Sequence, residues 1–173
     1  MNEDVLYSLA GEAVTIAGFS GVVVVLPLRD TPVWSPKETR MLRLLIGDSL
    51  VVLFLALLPV PLSLANWSAE GIWAFCSALL GSWFLIGDFI AVRGELRDRT
   101  QEQSDIDPLN KPVRYGIYLV AFLMGVALWL STFAILAPAG QALYVLGLMV
   151  LLAIAGVEFV FFIGLMLRHR GDH

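Results

Sequence analysis

Long apolar runs alternate with short polar stretches along the whole of this chain. Five runs of about 20 residues or more can be read, at 5–27, 41–64, 71–93, 115–137 and 142–167. The second is "MLRLLIGDSLVVLFLALLPVPLSL" and the third "GIWAFCSALLGSWFLIGDFIAVR". Such a run crosses a bilayer as a helix, because a helix pairs its own N–H and C=O groups where no water can. The pattern predicts an all-α fold, an integral membrane bundle of five transmembrane helices, with 1–173 as a single transmembrane domain.

Breakers and caps refine these elements. Pro59 and Pro61 should kink or end the second helix, since proline lacks the N–H and clashes one turn back. Ser35 or Thr39 is placed to cap its start. Glu95 and Arg99, at i,i+4 spacing, predict a helical extension of the third span, which "DPLNKP" then breaks. The connections are short except two, 28–40 and 94–114, and the second of these is the longest polar segment.

Composition agrees: 58% of residues are apolar and 15% charged, which leaves little chain for a soluble domain. The basic residues add a direction. All 11 Lys and Arg fall within 29–43, 93–114 and 168–170, and "MNED", "ANWSAE" and "APAGQ" contain none. With five spans the two sets lie on opposite sides. The positive-inside rule then puts the N-terminus outside and the C-terminus in the cytoplasm, with 28–40 and 94–114 cytoplasmic, as in a bacterial inner-membrane protein. Trp67 and Trp73 suit the outer aromatic belt, and Trp34, Tyr115 and Tyr118 the inner one. The first run lacks a basic leader and exceeds a signal peptide's apolar core, so it reads as an uncleaved helix. The basic loops read as topology determinants and contacts to anionic lipid, with no nucleic-acid patch.

Candidate chemistry is sparse. Cys76 is the single cysteine, so no intrachain disulfide and no Cys/His metal set is expected. His169 and His173 lie in the tail, which leaves no membrane histidine for a b-type haem, and there is no Gly-rich phosphate loop. No cofactor and no metal are therefore expected. "GDSL" at 47–50 spells the name of a serine-hydrolase family, but that chemistry needs Ser49 at a strand end with a histidine base.

Four acids remain inside the spans: Glu12, Asp48, Asp88 and Glu158. Helical rise puts Asp48, Asp88 and Glu158 at ~10, ~7 and ~13 Å from the cytoplasmic side, and Glu12 ~10 Å from the outer side. A charge at mid-bilayer costs on the order of 3 kcal/mol and should face a bundle interior or water. Small-polar stripes support that placement. Ser8, Gly11, Glu12, Thr15 and Gly18 share a face of the first helix, Ser77, Gly81 and Asp88 a face of the third, and Gly147, Leu151, Ala155 and Glu158 a face of the fifth. On the structural reading, Asp48 pairs with Arg43 and Asp88 with Arg93, each just over a turn away.

Leu85-Ile86-Gly87-Asp88, with "IGD" also at 46–48, resembles over one tetrapeptide the Gly-x-Gly-Asp motif of intramembrane diaspartyl proteases and prepilin peptidases. The first glycine is replaced by Leu85. The resemblance implies two aspartates sharing a proton to activate water. Two other expectations stand beside it. One is a proton or cation pathway, channel or transporter, in a homo-oligomer, with Glu12, Asp48, Asp88 and Glu158 as relay and Ser8, Thr15, Arg43 and Arg93 in support. The other is a non-catalytic structural or regulatory subunit that packs against a partner membrane protein.

Overall fold

The computed structural model describes residues 3–25, 36–98, 110–133 and 140–171. Among the described residues every regular element is an α-helix: α1 (Glu3–Val25), α2 (Pro36–Leu57), α3 (Pro59–Leu64), α4 (Ala69–Asp98), α5 (Asn110–Thr132) and α6 (Gly140–Gly171). Four segments are long and apolar enough to cross a membrane: Leu42–Leu64, Ala69–Arg93, Val113–Thr132 and Gly140–Phe161. They coincide with the second to fifth expected spans and mark the chain as an integral membrane protein. The first expected span falls on α1, which is not one of the four.

Local chemistry explains the boundaries. α2 begins at Pro36, directly after the Ser35 that the sequence offers as a cap, and Thr39 lies inside the helix. The apolar run breaks at Pro59 as predicted. Pro59 has no N–H for the Leu55 carbonyl, and the Leu58 N–H supplies a bond there instead, at 3.3 Å, beside its own bond to Phe54 at 2.9 Å. α3 ends in a Schellman motif. The Trp67 N–H reaches back to the Leu62 carbonyl and the Asn66 N–H to the Ser63 carbonyl, while Asn66 takes a left-handed φ of 59°. Ser68 then caps α4, its Oγ accepting from the Gly71 N–H at 3.2 Å. α4 continues past its span to Asp98, the predicted extension; Arg99 and Asp107–Leu109 lie outside the described residues.

The chain divides into two compact units, Met1–Pro61 with Leu148–His173, and Leu62–Gly147. In the second, α4 and α5 run antiparallel, because Ala74 lies by Thr132 and Gly81 by Gly125 and Trp129. The start of α6 runs parallel to α4: Trp73 stacks obliquely on Tyr144 at 5.8 Å, and Leu80 meets Gly147. Lipid is as apolar as leucine, so burial from water does not drive these helices together; close packing and interhelical hydrogen bonds do. Gly81, Gly125 and Gly147 provide the close packing, since a Cβ on any of them would lie 2.9–3.2 Å from atoms of a neighbouring helix. Thr132 Oγ1 provides one hydrogen bond, to the Ala74 carbonyl at 3.3 Å. The Tyr144 hydroxyl, fully buried, finds the Cys76 sulfur.

In the first unit α1 packs on α2. The buried face of α1 is Leu6, Leu9, Ala10 and Ala13, at helical spacing, and that of α2 is Leu45, Ser49, Val52 and Ala56. α6 buries Leu148, Leu151, Leu152 and Ala155. Hydroxyls on these faces bond back to their own helices, as Ser49 Oγ does to the Leu45 carbonyl at 2.9 Å, which makes them tolerable without water.

Candidate functional site

The first unit brings two of the four acids together. Asp48 stands beside the buried face of α2, next to Ser49, and is half-buried. Glu158 continues the α6 face of Leu151 and Ala155 by one turn and is also half-buried. The two carboxyl groups are within electrostatic reach of each other, and Glu158 Oε2 is buried with no hydrogen-bond partner. Both residues lie inside membrane-crossing segments, Asp48 six residues past Leu42 and Glu158 three before Phe161. Two like charges at that depth repel, and each is costly to desolvate alone. Taking a proton onto one of the two lowers that cost, so the arrangement can take up and release a proton. This is the chemistry that the pair can perform.

Arg43, expected beside Asp48, is exposed at the end of its span. The pairing expected for Asp88 is not made by its buried oxygen: Asp88 Oδ2 has no hydrogen-bond partner. Arg93 instead lays its guanidinium over the Phe89 ring, 5.5 Å from the centroid. Asp88 and Arg93 are five apart, which turns their side chains about 140° away from each other on a helix, whereas Phe89 and Arg93 are one turn apart. Asp88 belongs to the second unit, as do Ser77 and Gly81 of its expected stripe. Ser77 is fully buried and its Oγ also has no partner.

Glu12 is placed differently from the other three. It is exposed, and so are Ser8, Gly11, Thr15 and Gly18, while the opposite face of α1 is buried. In the chain by itself the stripe stands clear of other helices at its glycines: a Cβ on Gly11 or Gly18 would meet nothing within 4 Å. Thr15 Oγ1 donates to the Gly11 carbonyl at 2.9 Å, within the helix. The physical reason is that the apolar set Leu6, Leu9, Ala10 and Ala13 takes the packed side of α1, and the stripe lies on the opposite side.

The glycines before the two aspartates behave likewise. Gly47 and Gly87 have open space where a Cβ would stand, so neither marks a close helix crossing in the chain. Ser49 of "GDSL" is buried and bonded to its own helix, which removes it as a nucleophile. Among the described residues no group of three or more His, Cys, Asp or Glu stands close enough to hold a metal ion.

Sequence reasoning put Asp48 with Arg43, with Asp88, or in an inner relay with Asp88 and Glu158, and did not single out Asp48 with Glu158 as a pair. The signal was present in the depths, since both acids stand at ~10–13 Å from the same end by helical rise. Compared with protein-family models, with curated proteins and with solved structures, the chain matches none.

Proposed function

We propose that the protein is a homo-oligomer of a five-span subunit in a bacterial inner membrane, N-terminus outside and C-terminus in the cytoplasm, that carries protons or cations. The observation behind this reading is the Asp48–Glu158 pair, with a buried carboxylate oxygen that has no partner at lipid depth. Such an arrangement is expensive as architecture and useful as a relay. In this reading Glu12 gathers cations at the outer side. The one-sided distribution of the basic residues supports the orientation.

The test is flux into proteoliposomes, with a pH-sensitive dye for protons and ion-selective probes for sodium and potassium. Asp48→Asn and Glu158→Gln should each lower flux by about tenfold or more, a loss of ~1.4 kcal/mol or more of pathway stabilisation, with oligomer mass unchanged. A parent protein that carries neither protons nor these cations, under an imposed potential of either sign, refutes the proposal.

A second reading is favoured by the outward small-polar face of α1. A glutamate and two open glycines facing lipid would be covered by a partner membrane protein in a non-catalytic subunit. Mass measurement in native lipid separates the readings: copies of this chain alone support the first, and a co-purifying chain lost in Gly11→Leu supports the second.

A further inference from the structure

The surroundings of the Asp48–Glu158 pair bear on which cation it suits, a question that rests on the reading of that pair as a relay. Glu158 Oε2 is buried and has no hydrogen-bond partner. Asp48 keeps interactions of its own, so the group in need is Glu158. The charge within reach of Glu158 is that of Asp48, of like sign. Arg43 is exposed at the end of its span, and Glu12 of α1, the helix packed on α2, is exposed on the side away from the packed face. A proton and a metal cation meet this need differently. A proton forms a covalent O–H bond to one carboxylate oxygen, cancels its charge and asks for no further ligands. A sodium or potassium ion gives up its water only to a shell of several oxygens, as rings of backbone carbonyls provide in a selectivity filter.

The helices that carry the pair are poor in such oxygens. The buried side chains within two turns of it are Leu45, Ser49 and Val52 on α2 and Leu151 and Ala155 on α6. Four of the five are apolar and closely packed, which leaves little room for an ion that keeps its own water. The hydroxyl of Ser49 is bonded to the Leu45 carbonyl at 2.9 Å, and the other helix carbonyls are occupied by the N–H groups one turn on. Among the described residues no third acid, histidine or cysteine stands close enough to complete a metal site. We infer that the species carried at this pair is the proton, held as an O–H on Glu158, and that sodium and potassium are not carried.

The experiment uses the full chain in proteoliposomes. Proton entry is followed with a pH-sensitive dye under an imposed pH gradient in sodium, potassium or choline salts, and uptake of radioactive sodium and rubidium is measured in parallel. Proton flux should agree within about twofold in the three salts, and both isotopes should stay at the level of empty liposomes. Sodium or rubidium uptake that needs the protein overturns the inference and leaves the transport reading standing, whereas flux of no species takes both down. A second measurement needs no flux. Dicyclohexylcarbodiimide is an apolar reagent that takes up a protonated carboxyl across its C=N bond and leaves an N-acylurea on the acid. Mass spectrometry of the parent should place this adduct on Glu158, formed more slowly as pH rises, and Glu158→Gln should lose it. A large excess of sodium or potassium at fixed pH should leave the rate unchanged within about twofold. Protection of Glu158 by either ion, or no adduct on it at any pH, overturns the inference even in a preparation that carries nothing.

Discussion

Replacing Gly81 by alanine tests the packing that places α4 on α5, and with it the level at which Asp88 and Arg93 stand. The new Cβ would lie 3.0 Å from Trp129 Cδ1, 3.1 Å from the Gly125 carbonyl oxygen and 3.2 Å from Leu128 Cβ. None of these atoms is the free end of a flexible chain. The carbonyl is backbone, Leu128 Cβ is fixed to it, and the Trp129 indole is stacked on Phe133 at 5.8 Å. Relief therefore needs α5 to move away by a few tenths of an ångström, which loosens the Thr132–Ala74 hydrogen bond and the Gly125–Leu85 contact as well. Overpacking of this kind costs about 1–3 kcal/mol. Alanine gains back roughly 0.5–1 kcal/mol over glycine inside a helix. The net expectation is a loss of up to about 2 kcal/mol. Gly87→Ala, six residues further along the same helix, meets nothing within 4 Å and should keep the whole helix gain. Reversible unfolding of both variants in mixed micelles measures the difference. If Gly81→Ala is as stable as Gly87→Ala, the close crossing of α4 and α5 is wrong.

Two further outcomes follow from particular residues. Asn66 holds a left-handed backbone at the end of α3, so Asn66→Gly should be neutral or stabilising and Asn66→Val should cost about 1–2 kcal/mol, read as a shift in Tm. In a Cys76→Ser background, a cysteine placed within 99–109 should be labelled by an impermeant thiol reagent from the cytoplasmic side alone, and one placed at Ser68 from the outside alone; the reverse pattern would invert the orientation proposed above.

The sequence by itself determined where the helices are. A bilayer demands long apolar runs with internally paired backbone, and that demand is written residue by residue, which is why four expected spans reappear as helices within a few residues of their predicted ends. Proline chemistry at Pro59 and the i,i+4 pattern running on from Glu95 are equally local, and both the break and the extension to Asp98 were legible. Only the tertiary structure decided which way each helix is turned. A membrane helix is apolar on its lipid face and on its packing face, so hydrophobicity does not distinguish the two, and α4 and α6 are apolar nearly all round. Rotation is set by how shapes fit between helices. Leu6 and Leu9 fill the seam of α1 and send Glu12 outward; Gly81, Gly125 and Gly147 mark the close crossings, while Gly47 and Gly87 stand in open space. Helical rise gave Asp48 and Glu158 similar depths, but that they face each other across 110 positions of chain follows from those rotations, which the sequence does not carry.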